Sequence, residues 1–249
     1  MQKKNFRKDM IDLLVNGKFY VKYNRKKKIS FEKSYHGIVR DPDGKKRNLI
    51  KERKYKLSQI KNVLKFLKKS KPGKILDIGC GHGWLLSSLN NKWKKFGVDV
   101  SEYASKNARK YGKIFVGDIK NFKEKNFNII TALHVIEHHP NPEKFILKIN
   151  KILKKNGILI LETPDFDSAA ARRYGNKFRL LFDKTHISLF SQDSLIRLVR
   201  SYGFSIINIE YPFFETPFFS KKNLLKILRK NIVSPPFYGS VITLFLKKK

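Results

Sequence analysis

Ile75-Leu76-Asp77-Ile78-Gly79-Cys80-Gly81-His82-Gly83 reads as a short apolar strand that gives way, through three glycines at alternate positions, to a helix beginning near Trp84. Glycines at such a bend admit positive φ and let a ligand approach the backbone, while the start of the helix offers unpaired N–H groups. A bound cofactor is the natural inference. Twenty residues beyond Gly79 the next strand closes on Gly97-Val98-Asp99, which sets a carboxylate where doubly wound sheets hold ribose hydroxyls. A dinucleotide site would want glycine at position 84, where this chain has Trp84, and Asp77 would repel a pyrophosphate but attract a cation. The charges favour a positively charged, phosphate-free cofactor.

Outward from this motif the chain alternates between apolar runs and helical stretches. Strands are expected at Lys74 to Ile78, Lys95 to Val98, Ile114 to Val116, Phe127 to Thr131, Ile158 to Leu161, Phe204 to Ile209 and Val241 to Leu246. Helices are expected near Trp84 to Leu89, Glu102 to Tyr111, Pro142 to Lys154 and Gln192 to Tyr202. The fold class is therefore α/β, a doubly wound, mostly parallel seven-stranded sheet covered on both faces. The last strand has no helix immediately before it and is expected to enter antiparallel, at an edge. One amphipathic helix is expected from Leu57 through Leu67, stopped by Pro72-Gly73.

Residues 1–53 show no sustained period, carry a turn signal at Asp41-Pro42-Asp43-Gly44, and read as a basic N-terminal arm or cap. Residues 54–249 form the main domain, with insertions at 164–190 and 212–238 that interrupt the alternation. The first follows a strand, where open α/β sheets place substrate loops. The second holds Phe213, Phe214, Phe218 and Phe219, then a basic amphipathic stretch with Leu224, Leu225, Ile227 and Leu228. That stretch suits membrane-surface docking or packing as a lid, and the interruptions at Pro212 and Pro217 favour the lid.

With 249 residues, 41% hydrophobic, the chain has material for one large core, so global disorder is excluded. A lone cysteine, Cys80, excludes an internal disulfide and fits a reducing, cytoplasmic setting. No apolar run reaches the roughly 18 residues of a membrane-spanning helix. Fifty-five basic against twenty acidic residues give +35, enough to attract nucleic acid or anionic lipid. The basic residues are 43 Lys and 12 Arg, a skew that fits a solvated surface better than planar phosphate or base recognition.

The glycine motif with Asp99 at its distance resembles the class I S-adenosylmethionine-dependent methyltransferases, whose domain is Rossmann-like, and the resemblance runs from about Lys54 to the C-terminus. By position it implies that Gly79, Cys80, Gly81 and Gly83 wrap the amino-acid end of S-adenosylmethionine, with Asp77 near its ammonium and Asp99 on the ribose. Asp118 and Ile119, in Gly117-Asp118-Ile119, match the segment that reaches adenine, and Leu133-His134 would lie beside the ribose and sulfonium. The stretch His134-Val135-Ile136-Glu137-His138-His139 is similar to a segment of ubiquinone-biosynthesis O-methyltransferases and their relatives, as is His186-Ile187-Ser188-Leu189-Phe190-Ser191.

The resemblance implies methylation of a small-molecule or glycan hydroxyl by in-line displacement. His138 and His186 are the candidate bases, since both titrate near neutrality when unperturbed. No metal is expected, because helical spacing does not set His138 and His139 on one face. Two other readings stay open: an RNA or protein methyltransferase using the basic arm, and a cofactor-binding module without turnover. The oligomeric state and the acceptor are not legible.

Overall fold

In the computed structural model the described residues are 6–23, 36–40, 46–212, 220–229, 231–235 and 240–249. The turn signal at 41–44 and the four phenylalanines of 213–219 lie outside them. The N-terminal part holds α1 (Phe6–Val15), β1 (Val21–Lys22) and the antiparallel pair β2 (Ile38–Arg40) and β3 (Lys46–Asn48). Then come α2 (Arg53–Gln59), α3 (Lys61–Lys69), β4 (Lys74–Ile78), α4 (Trp84–Ser87), β5 (Lys94–Asp99), α5 (Glu102–Ala108), β6 (Lys113–Val116) and β7 (Phe127–Leu133). The remainder is α6 (Pro142–Ile152), β8 (Leu153–Pro164), α7 (Ala169–Tyr174), β9 (Ser188–Leu189), α8 (Gln192–Ser201), β10 (Phe204–Glu210), α9 (Lys221–Leu225) and β11 (Val241–Lys248).

The seven-stranded sheet has the order β10-β11-β8-β7-β4-β5-β6. β4 pairs in parallel with β5 and β7, β5 with β6, and β7 with β8, while β11 is antiparallel to both β8 and β10. The Rossmann-like expectation holds, with one correction: the antiparallel strand is interior and β10 forms the edge. Burial decides the order. Ile242 to Leu246 of β11 are buried on both faces, whereas β10 leaves Ile207 half exposed.

Alternate residues of the central strands feed two cores. Leu76, Ile78, Ile130, Leu159, Leu161 and Leu244 pack with Phe145, Ile146 and Ile149 of α6 and Leu195 and Leu198 of α8. Ile75, Ile129, Ile160 and Phe245 face Val63 and Leu67 of α3, Leu85 and Leu86 of α4 and Ala108 of α5. The single helix expected before β4 is two, parted at Ile60, whose φ of −111° and ψ of 29° break the helical run.

The N-terminal segment has a period after all. Phe6, Met10 and Leu13 are buried at helical spacing against Phe166, Ala170, Ala171 and Phe178 of the 164–190 segment. Apolar Ile11, Leu14 and Val15 on the outer face hide that stripe in the sequence. β1 then pairs with β9, joining the arm to the same segment. None of the described helices is long and apolar enough to cross a membrane.

Candidate active site

From β4 the chain steps outward through β5 and β6 and then returns to β7 on the other side, so the connections reverse between β4 and β7. In open α/β sheets the crevice forms at the carboxyl ends of strands at that reversal. A cavity of about 240 Å³ opens there, lined by Ile78 and Gly79 after β4, Val98, Asp99 and Val100 at β5, Gly117, Asp118 and Ile119 after β6, and His134 and Val135 after β7. His138, His139, Pro140 and Phe145 complete one wall and His36, from the N-terminal segment, another.

The glycine bend is built as the spacing anticipates. Gly79, Gly81 and Gly83 have φ of 73°, 50° and 75°. The backbone N–H groups of Gly79 and Cys80 donate to Val98 O at 2.8 and 3.2 Å, which pins the bend to the end of β5. A Cβ on Gly79 would stand 2.5 Å from Val135 Cγ2, and one on Gly83 would stand 2.8 Å from Ala108 Cα, so Gly83 is what lets α5 approach. On Gly81 a Cβ would meet only His36, no nearer than 3.7 Å. His82 ties the bend to its surroundings: Nε2 donates to His36 O at 3.1 Å, and Nδ1 accepts from Asn107 Nδ2 at 3.2 Å.

Two carboxylates, Asp99 and Asp118, line the crevice, and a third, Asp77, is buried at the end of β4 beside it. Asp77 lies opposite Thr131 in the β4–β7 register and accepts its hydroxyl at 2.7 Å. Burial lifts the Asp77 carboxyl to about 7, with nearby Asp99 adding to the rise against the opposing Thr131 bond. Asp99 is aimed at the bend, with Oδ2 accepting Gly81 N at 2.7 Å and Oδ1 accepting Ser101 N at 2.8 Å. Asp118 begins a short turn by accepting Lys120 N at 2.8 Å and stays part-exposed. Burial pushes the Cys80 thiol well up, so it is held protonated, and its Sγ fills the space left by Gly97.

On the other wall, His134 has φ 56°, a strained value for a residue with a side chain. Its ring bridges two buried carboxylates, Nδ1 to Glu137 Oε1 at 3.2 Å and Nε2 to Glu162 Oε1 at 3.3 Å. Burial opposes the imidazolium, but the bonds and charges of Glu137 and Glu162 together prevail and push it up to about 10. For Glu137 the burial penalty is likewise outweighed, by His134, His138 and His186, and the carboxyl sits at about 2. Thr163 also donates to its Oε2 at 2.8 Å.

His138 Nδ1 lies 3.1 Å from Thr185 O. A carbonyl only accepts, so Nδ1 carries the hydrogen and the neutral ring keeps its lone pair on Nε2. His186 packs behind it with ring centroids 5.0 Å apart, donates from Nδ1 to Leu180 O at 2.7 Å, and has its protonation disfavoured by burial. His186 is not on the cavity wall. His139, on the wall with His138, has Nδ1 2.9 Å from Asn141 O. Ligand atoms of Glu137, His138 and His186 lie within 4.8 Å of one another, the one set of metal-ligating type among the described residues.

Of the anticipated cofactor residues, Gly79, Asp99, Asp118, Ile119 and His134 line the cavity, while Asp77, Cys80, Gly81, Gly83 and Leu133 lie behind or beside its wall. His36 gave no sequence signal, because the segment around it has no period. Val135 and Phe145 are legible only as apolar residues. Away from the cavity, Arg172 pairs with Asp167 at 2.6 Å, and the guanidinium groups of Arg173 and Arg179 donate to Ile227 O and Ser234 O.

A family model described as a methyltransferase domain matches residues 49–209. The chain belongs to the methyltransferases. Over 159 residues it is 29% identical to an uncharacterized protein of Methanocaldococcus jannaschii, covering 62% of this chain and 76% of that one. Ubiquinone biosynthesis O-methyltransferases of Neisseria meningitidis and Idiomarina loihiensis are 27% and 29% identical, over 36% and 49% of this chain and 43% and 54% of theirs. The methyltransferase thus spans about half the length of those relatives. A Thermotoga maritima structure described as an S-adenosylmethionine-dependent methyltransferase, possible histamine N-methyltransferase, superposes with TM-score 0.58 at 23% identity, over 79% of this chain and 91% of that one. That likeness bears on the fold.

The donor set suits S-adenosylmethionine, the cofactor of the family. A Cβ on Gly81 would meet only His36, at ordinary contact distance, and the carboxylates of Asp99 and Asp118 line the cavity. Asp99 would hold the ribose, Asp118 and Ile119 the adenine, and Asp77 the cationic amino-acid end.

Proposed function

We propose that this methyltransferase methylates a hydroxyl of a small molecule or glycan, with His138 as the base. The observation that supports it is the sharing of one cavity by Gly79, Asp99 and Asp118 on one side and His138 on the other. S-adenosylmethionine supplies, when bound, a methyl group on a sulfonium. The protein's part is to hold the acceptor in line, exclude water and take up the acceptor's proton. Alignment contributes on the order of 7 to 11 kcal/mol, and a positioned base adds roughly 10² to 10⁴ in rate. His138 Nε2 is the atom suited to accept that proton, and the Thr185 carbonyl fixes the ring. His186 acts behind it as a positioning residue.

The relatives named ubiquinone biosynthesis O-methyltransferase favour a small-molecule hydroxyl, and the Lys-rich N-terminal arm is what favours RNA. Calorimetric titration with S-adenosylmethionine and its demethylated product, followed by methyl-transfer assays on phenol, sugar and RNA pools, tests the reading. We expect both nucleosides to bind and His138→Asn, whose amide still reaches Thr185 O, to lower kcat by roughly 10² or more with cofactor affinity unchanged. Absence of binding removes the enzymatic readings, and binding without turnover on any pool favours a cofactor-binding module.

A further inference from the structure

The lid expected over residues 212–238 does not bury its leucines. α9 continues through a 3-10 turn, Lys226–Leu228, as one helical run, and along it Leu224, Leu225 and Leu228 are 45%, 65% and 77% exposed. The run is seated by its main chain instead. Arg173 donates to Ile227 O from Nε and Nη2 at 2.9 and 2.6 Å, Tyr174 donates from its hydroxyl to Lys226 O at 3.0 Å, and Lys177 donates from Nζ to Asn231 O at 2.8 Å. Ser234 N in turn donates to Lys177 O at 3.0 Å. A segment anchored through its carbonyls to α7 and the turn after it holds its place without packing those side chains inward.

Around the leucines stand Lys221, Lys222, Lys226 and Arg229, and residues 220–235 contain no acidic residue. Three exposed leucines bordered by four cations match the bilayer interface, where apolar side chains enter the headgroup and acyl boundary and cations meet anionic headgroups. A nucleic acid would satisfy the cations but not the leucines, and its bases favour aromatic platforms and planar guanidinium groups over lysine. The net charge of +35 adds long-range attraction to any anionic surface. We propose that residues 220–229 dock the protein on an anionic lipid bilayer, with Leu224, Leu225 and Leu228 as the apolar anchor.

Co-sedimentation of the full chain, without cofactor or acceptor, with vesicles of phosphatidylcholine alone and of phosphatidylcholine with phosphatidylserine is the direct test. The protein should pellet with the phosphatidylserine vesicles, less as salt rises. Leu225→Ser with Leu228→Ser should lower that affinity on the order of ten-fold or more, and Lys221→Glu with Lys222→Glu and Lys226→Glu should abolish the preference for phosphatidylserine. Thermal unfolding and cofactor titration of the same variants should match the parent, which shows the fold intact and separates this proposal from the methyl-transfer reading. Unchanged vesicle affinity in the leucine variant would overturn the proposal, since the general charge would then account for binding. Failure to bind phosphatidylserine vesicles would overturn it too, as would RNA binding that the lysine variant loses while vesicle binding persists.

Discussion

Asp77 is buried beside Thr131 with its carboxyl lifted to about 7 by burial, so the cofactor-free protein carries a group that resists ionising. In the unfolded chain the same carboxyl titrates near 3.9. Stability from this residue is therefore full below about 4 and is lost as pH rises through about 7. A cation in the crevice reverses the preference. Asp77→Asn, which keeps an acceptor for Thr131, should raise the unfolding temperature of the cofactor-free protein above pH 7 and weaken S-adenosylmethionine binding. For the parent, calorimetry across pH should show affinity falling towards ten-fold per unit as pH drops below about 7. An affinity flat between pH 6 and about 8 would remove Asp77 from the ammonium site. The bend offers a paired test. Gly79→Ala forces a Cβ to 2.5 Å from Val135 and should abolish cofactor binding, whereas Gly81→Ala, with nothing nearer than 3.7 Å, should cost about 1 kcal/mol of backbone strain and retain the fold.

At the scale of elements, the segment after β7 depends on one carboxylate. Glu137 receives Thr163 and His134 and holds the ring bridging β7 to Glu162 of β8. Its pKa is held at about 2, below the ordinary value near 4.5, so the stability it confers is present above about 4.5 and is lost as pH falls towards 2. Glu137→Gln should cost roughly 3 kcal/mol in a denaturant titration at pH 7, and should flatten the decline in stability over that acid range. The sequence disclosed strands β4 to β8 and the glycine bend because local pattern determines them: apolar runs covered on both faces, and glycines where φ must be positive. It disclosed His134 and His138 through the stretch they share. It did not disclose the interior place of β11, which is set by which strand is buried on both faces, a non-local property. Nor could it show that His186 stands behind His138, or that His36 reaches the crevice, because both depend on how the 164–190 segment and the N-terminal segment fold over the strand ends.

On the whole molecule, 20 acidic residues cannot neutralise 55 basic ones, whatever their arrangement. Among the described residues, Lys74 and Lys113 share Glu124, Arg7 and Arg172 share Asp167 and Lys120 leans on Asp118, while Arg109 and Arg197 take acidic partners of their own. Exposed pairs of this kind contribute about 0 to 1 kcal/mol each, too little to offset the mutual repulsion of the cations left over. That repulsion is long-ranged at low salt and short-ranged at physiological salt, because the screening length falls from about 30 Å at 0.01 M to about 8 Å at 0.15 M. The folded state gathers the cations and the unfolded chain spreads them, so screening favours folding. The unfolding temperature should therefore rise by several degrees as potassium chloride is raised over that range, about 2 to 4 °C for each kcal/mol of relieved repulsion in a chain of this size. Differential scanning calorimetry at fixed pH measures it. A flat or falling transition would mean that the lysines stand far enough apart in the folded state to cost nothing, and the excess charge would then bear on partners alone.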